Sequence, residues 1–236
     1  MNVLLASSSS GSRGGGEIYL QYLGRALAQR GHDVTLWCSS HSRMDELATT
    51  FEEFGRVVRA PYRNTCAYRT RLLRPALSPI LPRRIAGQWA EIDPDVIHVN
   101  KQNLEDGLDL IRAAAHVQTP ALATIHITQS GSFLNAQFAG LRDILSRWVL
   151  KRFEGAYVAV QERRREELSA FLDGEHDIRA VNNGVPLPDR DSFSGDSSTI
   201  RKEYSISKGA LLVVGVGRLE PQKRPRRFLE VAEKIY

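Results

Sequence analysis

The sequence predicts an α/β fold, a parallel β-sheet with helices on both faces, and three observations predict it. Short apolar runs of strand length alternate with segments of helical period over most of the chain, as in strands joined by helical crossovers. The first apolar run passes directly into a serine- and glycine-rich turn, "SSSSGSRGGG", and then into a helical segment. The 236 residues are 42% hydrophobic, which is enough to enclose a core and excludes a chain that stays disordered.

In chain order, strands are predicted at residues 3–6, 34–38, 57–60, 96–99, 121–126, 157–160 and 179–181. After the first strand Leu20, Leu23 and Leu27 recur at helical spacing, and Gly31 ends that helix as its C-terminal cap. Pro75, Pro79 and Pro82 would each break a helix, so residues 61–82 are expected to form a protruding loop or a short broken helix. Leu134, Phe138, Leu141, Leu145 and Trp148 repeat the helical period, with Arg142, Asp143, Arg147 and Lys151 off the stripe, and are expected to pack into the core. From residue 183 onward Gly, Pro, Ser and Asp dominate. The expected organisation is a first domain over residues 1–185, a linker over 186–209, and over 210–236 the incomplete beginning of a second domain. That last piece is predicted to hold a strand at 210–216 and a helix that uses Phe228, Ala232 and Ile235.

The net charge of +5 is localised. Arg56, Arg59, Arg63, Arg69, Arg71, Arg74, Arg83 and Arg84 follow one another with no acidic residue among them. From Arg69 to Arg84 the arginines alternate with leucine and isoleucine, which suits either a solvated acceptor loop or peripheral contact with an anionic membrane, at about 1 kcal/mol per cation near such a surface. A nucleic-acid-binding protein is the alternative class; the chain has no platform of interleaved aromatics and no recognisable nucleic-acid module, so no nucleic acid is expected as partner. The longest clean apolar stretch, residues 210–216, is far shorter than the roughly 20 residues that span a bilayer, and a cytoplasmic location is expected. Cys38 and Cys66 are too few and too isolated for a disulfide framework or a zinc site.

Three consecutive glycines, Gly14-Gly15-Gly16, between a strand and its helix place bare backbone N–H groups and a positive helix end at the carboxyl edge of the sheet, where anions bind. A nicotinamide-binding fingerprint would need G-x-G-x-x-G and an acid about 20 residues on. Here the second strand ends in Cys38-Ser39-Ser40, which disfavours an oxidoreductase, and no Lys-Ser or Lys-Thr follows the glycines as a phosphate-binding loop requires. Near the other end of the chain, Arg218 and Lys223 put a guanidinium and an ammonium just beyond a predicted strand, an arrangement suited to a diphosphate.

Five pieces in order carry a resemblance: "GGGEIYLQYLGRALAQRGHDVTLW", "DPDVIHVN", "ATIHITQ", "AVNNGV" and "VGVGRLEPQKRP". Together they resemble the retaining glycosyltransferases of family four, over essentially the whole chain. The resemblance implies the GT-B fold of two Rossmann-like domains. It implies transfer of a sugar, with retained configuration, from a nucleotide-sugar donor to a glycan, lipid-linked or small-molecule acceptor such as a cell-envelope polysaccharide. It implies no cofactor and no bound metal. It places the Gly15 and Gly16 backbone against the donor phosphates and transferred sugar, Arg218 and Lys223 on the diphosphate, and His126 on the transferred sugar as the catalytic-site histidine. His98, Asn100 and Asn103, with Lys101, are expected on the acceptor side. Two positions depart from the family pattern: Ile127 follows His126 where an acid is frequent, and Gln161 stands where a serine is common. The family's carboxylate pair of the second domain would come after Tyr236, so the isolated 236-residue chain is expected to be inactive.

Overall fold

Alternation along the strands decides the architecture. In the computed structural model, which describes residues 1–11, 14–67, 72–187, 198–207, 209–217, 219 and 224–235, the chain divides into two units, Met1–Val185 and Pro186–Tyr236. The first unit holds strands β1 (Asn2–Ser7), β2 (Asp33–Ser39), β3 (Arg56–Ala60), β4 (Val96–Asn103), β5 (Ala121–Ile127), β6 (Ala156–Ala159) and β7 (Ile178–Ala180). All pair in parallel, in the order β3-β2-β1-β4-β5-β6-β7. This is the α/β sheet that the sequence predicts. The strand at 96–99 runs on to Asn103, because Lys101 and Asn103 pair with Ile125 and Ile127 of β5.

Helices α1 (Gly15–Ala28), α2 (Asp45–Glu52), α3 (Leu73–Leu77), α4 (Ile80–Ala90), α5 (Leu108–Ala114), α6 (Ala139–Leu150) and α7 (Glu162–Phe171) fill the connections. Successive strand residues point to opposite faces, so the sheet feeds two cores. Val3, Leu5, Leu36 and Cys38 pack with Leu20, Leu47 and Phe51. Leu4, Ala6 and Trp37 pack with Trp89, Ile97 and Val99 in the larger core. Trp37 meets Tyr62 and Trp89 edge-on at ring-centroid distances of 5.2 and 5.9 Å, and its indole N–H donates to Gln88 Oε1 at 3.1 Å, so the buried ring is satisfied as well as packed.

The strand order reverses at β1. From there the chain builds outward through β2 and β3, returns to lay β4 on the other side of β1, and continues in the opposite direction. The crevice outside the carboxyl ends of β1 and β4 is therefore a topological switch point, the usual ligand position in an open parallel sheet.

The proline-rich segment takes one of its two expected forms. Residues 72–90 are a broken helix and not a protruding loop: they form α3 and α4, with Leu72, Ala76, Ile85 and Trp89 buried. The prolines are tolerated because Pro75 and Pro82 fall in the first turns of their helices, where no backbone N–H is needed, and Pro79 caps α4. The corner between the two helices is tied to α5 by Arg112, whose Nη1 donates to the carbonyls of Pro75 at 3.2 Å and Ser78 at 2.7 Å.

The stripe expected to enter the core through α6 needs correction. Leu134, Phe138, Leu141 and Trp148 are exposed, and of the five only Leu145 packs against the core. The helix begins at Ala139, behind Phe138 at φ 54°, so the apparent period from Leu134 does not lie on one helix. The polar neighbours are what the body holds: Asp143 accepts from the Gly131 and Ser132 N–H groups at 2.7 and 2.9 Å, and Arg142 donates to Glu105 Oε2 at 2.6 Å. Ser146, Val149 and Leu150 face inward instead.

In the second unit the structure describes α8 (Ser198–Glu203), inside the stretch expected to be linker, and α9 (Pro225–Ile235) with Pro225 opening the helix. The strand expected at 210–216 is absent among the described residues, and Leu211, Val213, Val214 and Val216 are exposed. A strand needs a hydrogen-bonding neighbour, and the described residues of this unit supply none. The Phe228 ring of α9 covers Gly215, where a Cβ would stand 3.1 Å from it, while Ile235 is exposed.

Replacing Arg112 with alanine removes two charge-assisted hydrogen bonds to backbone carbonyls. Urea unfolding of Arg112→Ala is expected to show a loss of about 1.5–3 kcal/mol, with the midpoint lowered and the slope unchanged.

Candidate functional site

The carboxyl edge at the switch point is lined with polar side chains for a local reason. β1 ends in serines, and Ser7, Ser8 and Ser9 are all buried; the Ser8 N–H donates to the Asn100 carbonyl at 3.0 Å, which prolongs the β1–β4 pairing into the turn. Gly14 caps α1 in extended conformation without a side-chain hydrogen bond. The first N–H groups of the helix have no intrahelical acceptors there.

The triple glycine has an internal requirement. A Cβ on Gly16 would run into the carboxamide of Gln102, which lies against it and donates from Nε2 to Glu17 Oε1 at 3.1 Å. Gly15 is different, since a Cβ there would meet nothing within 4 Å. The close approach legible in the sequence is thus made at Gly16 by the protein's own β4, and only Gly15 is bare toward open space.

Asn100 joins these elements. Its Nδ2 donates to the Gly16 carbonyl at 3.1 Å, which fixes the amide so that Oδ1 faces His126 Nε2 at 2.8 Å. A carboxamide oxygen accepts only, so Nε2 carries the proton and Nδ1 of a neutral ring holds the lone pair. Burial lowers the His126 pKa from 6.5 to about 4, and the ring is neutral near pH 7. Tyr19 of α1 stands edge-on to His126 at 5.1 Å and to His98 at 6.0 Å. His98 Nε2 and Thr124 Oγ1 are 2.7 Å apart, and burial, with a smaller contribution from His126, brings the His98 pKa to about 4 as well.

Below the adjoining loop Lys101, expected on the acceptor side, is an interior group with two acids, Asp106 and Asp109, that sequence reasoning missed. Lys101 is fully buried, and its Nζ donates to the Asp106 carbonyl. Burial lowers its pKa to about 8. Asp106 accepts from Ser8 Oγ at 3.0 Å and Asn64 Nδ2 at 2.6 Å, and burial raises its pKa. Asp109 accepts from the Tyr62 hydroxyl at 3.2 Å, has Oδ2 buried without a hydrogen-bond partner, and is pushed by burial up to about 7. An apolar pattern search cannot find such a cluster, because Asp106 and Asp109 read as ordinary surface charges. Asn103 accepts from the Glu105 and Asp106 N–H groups at 2.9 and 3.0 Å and so shapes the loop that follows β4.

Beside this loop opens a cavity of about 630 Å³, lined on its several sides by Ser9, Ser10, Arg43, Arg63, Asn64 and Asn103 among others. Of the residues expected on the acceptor side, Asn103 lines it; His98, Asn100 and Lys101 are buried and hydrogen-bonded within the protein. Arg218 and Lys223 lie outside the described residues. Among the described residues no group of three or more His, Cys, Asp or Glu side chains is placed to hold a metal ion, and no helix is long and apolar enough to cross a membrane.

The sequence profile of Glycosyltransferase Family 4 matches residues 13–188. No curated protein matches the chain. Among solved structures, HepE of Anabaena in complex with UDP aligns with a TM-score of 0.66 at 15% identity, over 99% of this chain and 58% of that one. A glycosyltransferase from Rickettsia africae aligns with a TM-score of 0.56 at 12% identity, over 93% and 53%. The lipopolysaccharide outer core galactosyltransferase WaaB aligns with a TM-score of 0.52 at 14% identity, over 81% and 50%. At these identities the likeness is one of fold, and the chain spans 58% of the length of HepE.

Both histidines have folded-state pKa values below those of the unfolded chain. As pH falls from about 6.5 toward about 4 the unfolded state takes up protons that the folded state refuses, and stability is lost across that window. In a two-dimensional NMR titration of the imidazole nitrogens, His98 and His126 are expected to hold their neutral shifts down to about pH 5. Midpoints near 6.5 for both rings would contradict the burial and hydrogen bonding described above.

Proposed function

This chain belongs to glycosyltransferase family 4, and from that premise we propose that it supplies the acceptor side of a retaining glycosyltransferase that draws its sugar from a nucleotide-sugar donor. The observation that carries the proposal is the arrangement at the switch point: a neutral His126 with its Nε2–H engaged by Asn100, beside the bare Gly15 backbone that opens α1. The Nδ1 lone pair suits a sugar hydroxyl. The free N–H groups of the helix start suit a phosphate oxygen, where negative charge builds as the bond from the anomeric carbon to the diphosphate breaks and its electron pair stays on the leaving group. Arg218 and Lys223 take the diphosphate by sequence position alone. Structures of HepE hold UDP and UDP-glucose, which supports a nucleotide-sugar donor here.

In this scheme His98 and Asn100 are positioning residues. His98 braces Thr124 under Tyr19, and Asn100 sets the His126 tautomer. The acceptor occupies the cavity beside Asn103.

The protein expressed from its complete gene, incubated with a panel of nucleotide sugars and acceptors, is expected to form a product whose anomeric configuration by NMR equals that of the donor. His126→Ala is expected to lower kcat/KM by about 10²-fold, with the KM for the nucleotide sugar little changed. An inverted product, no transfer from any donor, or full activity in His126→Ala would each count against the proposal.

A second proposal concerns the basic stretch over residues 69–84. Leu73, Leu77 and Ile80 are exposed on α3 and the start of α4, next to exposed Arg83 and Arg84, which favours peripheral contact with an anionic membrane. Co-sedimentation is expected to show binding to vesicles rich in phosphatidylglycerol, weakened in the double variant Arg83→Gln/Arg84→Gln. Equal partition into neutral phosphatidylcholine vesicles would end this idea.

A further inference from the structure

The wall of the cavity of about 630 Å³ on the β2 and β3 side carries positive charge that no acid among the described residues compensates. Beyond Ser39 the chain turns through His41 into a 3-10 turn, Ser42–Met44. Arg59 ties this turn down: its Nε donates to the Ser39 carbonyl at 2.9 Å, and its Nη2 donates to the His41 carbonyl at 3.1 Å and to Asp45 Oδ1 at 2.8 Å. Asp45, the acid next to the turn, is thereby paired with Arg59. The Arg43 N–H donates to His41 Nδ1 at 3.2 Å, so a neutral His41 presents its other nitrogen as a donor.

Arg43 itself is laid across Gly11. That glycine stands at φ +149°, and a Cβ on it would sit 2.9 Å from Arg43 Cδ, so the backbone is bare where the arginine stem crosses it. On the adjoining side Arg63 precedes Asn64, which is fastened at both ends. Its N–H donates to Ser10 Oγ at 2.8 Å, and its Nδ2 donates to the Ser8 carbonyl at 2.9 Å and Asp106 Oδ1 at 2.6 Å. Among the described residues Asp106 is the one carboxylate in the cavity lining; it is buried and occupied by Ser8 and Asn64. Among the described residues neither Arg43 nor Arg63 has a carboxylate at ion-pair distance. Two guanidinium groups, the His41 donor and the Ser9 and Ser10 hydroxyls thus share a cavity whose single acid among the described residues is withdrawn from it.

We propose that this cavity is an anion-binding acceptor pocket, and that the acceptor carries a phosphoryl group held by Arg43 and Arg63. The proposal rests on the transferase reading above and names its acceptor class. Guanidinium forks match phosphate oxygens two at a time, and the pocket leaves room for an attached polyol or sugar. A soluble phosphate ester and a phospholipid headgroup present the same chemistry.

The test is a titration of the chain with glycerol 3-phosphate, followed by the side-chain Nε–H signals of arginine, with glycerol as the uncharged control. Saturable shifts are expected for Arg43 and Arg63 with glycerol 3-phosphate and none with glycerol. Arg43→Gln and Arg63→Gln are each expected to weaken binding by about tenfold or more, while Arg56→Gln, on the same strand side but outside the cavity, leaves it unchanged. Vesicles of phosphatidic acid in phosphatidylcholine form the second arm. Binding lost in Arg43→Gln and Arg63→Gln would assign the headgroup as source, and binding of the soluble ester alone would assign a free metabolite. Equal binding of glycerol, an equal effect of Arg56→Gln, displacement of the probe by UDP, or no saturable response in either arm would overturn the proposal. A transferase that accepts only uncharged acceptors would sink this pocket and leave the transfer assay standing. Ester binding without transfer from any nucleotide sugar would do the reverse.

Discussion

The carboxamide of Asn100 is held between the Gly16 carbonyl and the His126 ring, and the chemistry of the carboxyl edge follows from that grip. With Nδ2 committed to a backbone oxygen, Oδ1 has a single orientation and the histidine a single neutral tautomer. The grip exists because β1 and β4 are neighbours although much sequence separates them, which brings the start of α1 over the end of β4. It also needs Gly16 to lack a side chain, since Gln102 occupies that space. The departure at Ile127 is answered in the same place: the ring that lacks an acid next to it in sequence is oriented by an amide from the neighbouring strand.

The next layer is electrostatic. Burying Lys101, Asp106 and Asp109 together carries a desolvation cost that only hydrogen bonds and mutual attraction offset. The protein accepts that cost on the loop that walls the cavity. Lys101 holds its carbonyl from beneath, Ser8 and Asn64 hold its carboxylate, and Arg142 of α6 holds Glu105 from outside. A loop bound from three directions presents Asn103 and the neighbouring walls in a defined geometry, which a binding pocket requires. Because the acids are consumed internally, the cavity's accessible charge is that of its arginines.

The places where pattern and structure part have physical causes. The prolines of α3 and α4 lie in first turns, where the missing N–H costs nothing, so counting prolines overstated the disruption. On α6, Arg142 donates to Glu105 and Asp143 accepts from the Gly131 and Ser132 N–H groups, and Leu141 and Trp148, like Phe138 ahead of the helix, are left exposed. The strand pattern at 210–216 is real as composition, but β structure is a property of pairs.

Apolar periodicity was sufficient to reveal seven parallel strands, their approximate limits and the glycine turn, because strand and helix periods are local and the central strands are largely buried. It also placed His126 near the end of β5, whereas Asn100, expected just past its strand, lies inside β4. The packed chain alone decided that these two bond to each other, that His98 and Lys101 are interior, that Gly16 makes room for Gln102, and that Arg43 and Arg63 meet across one cavity. Those outcomes depend on which strands lie side by side and on which charges find partners, and both are settled by contacts between residues far apart in the chain.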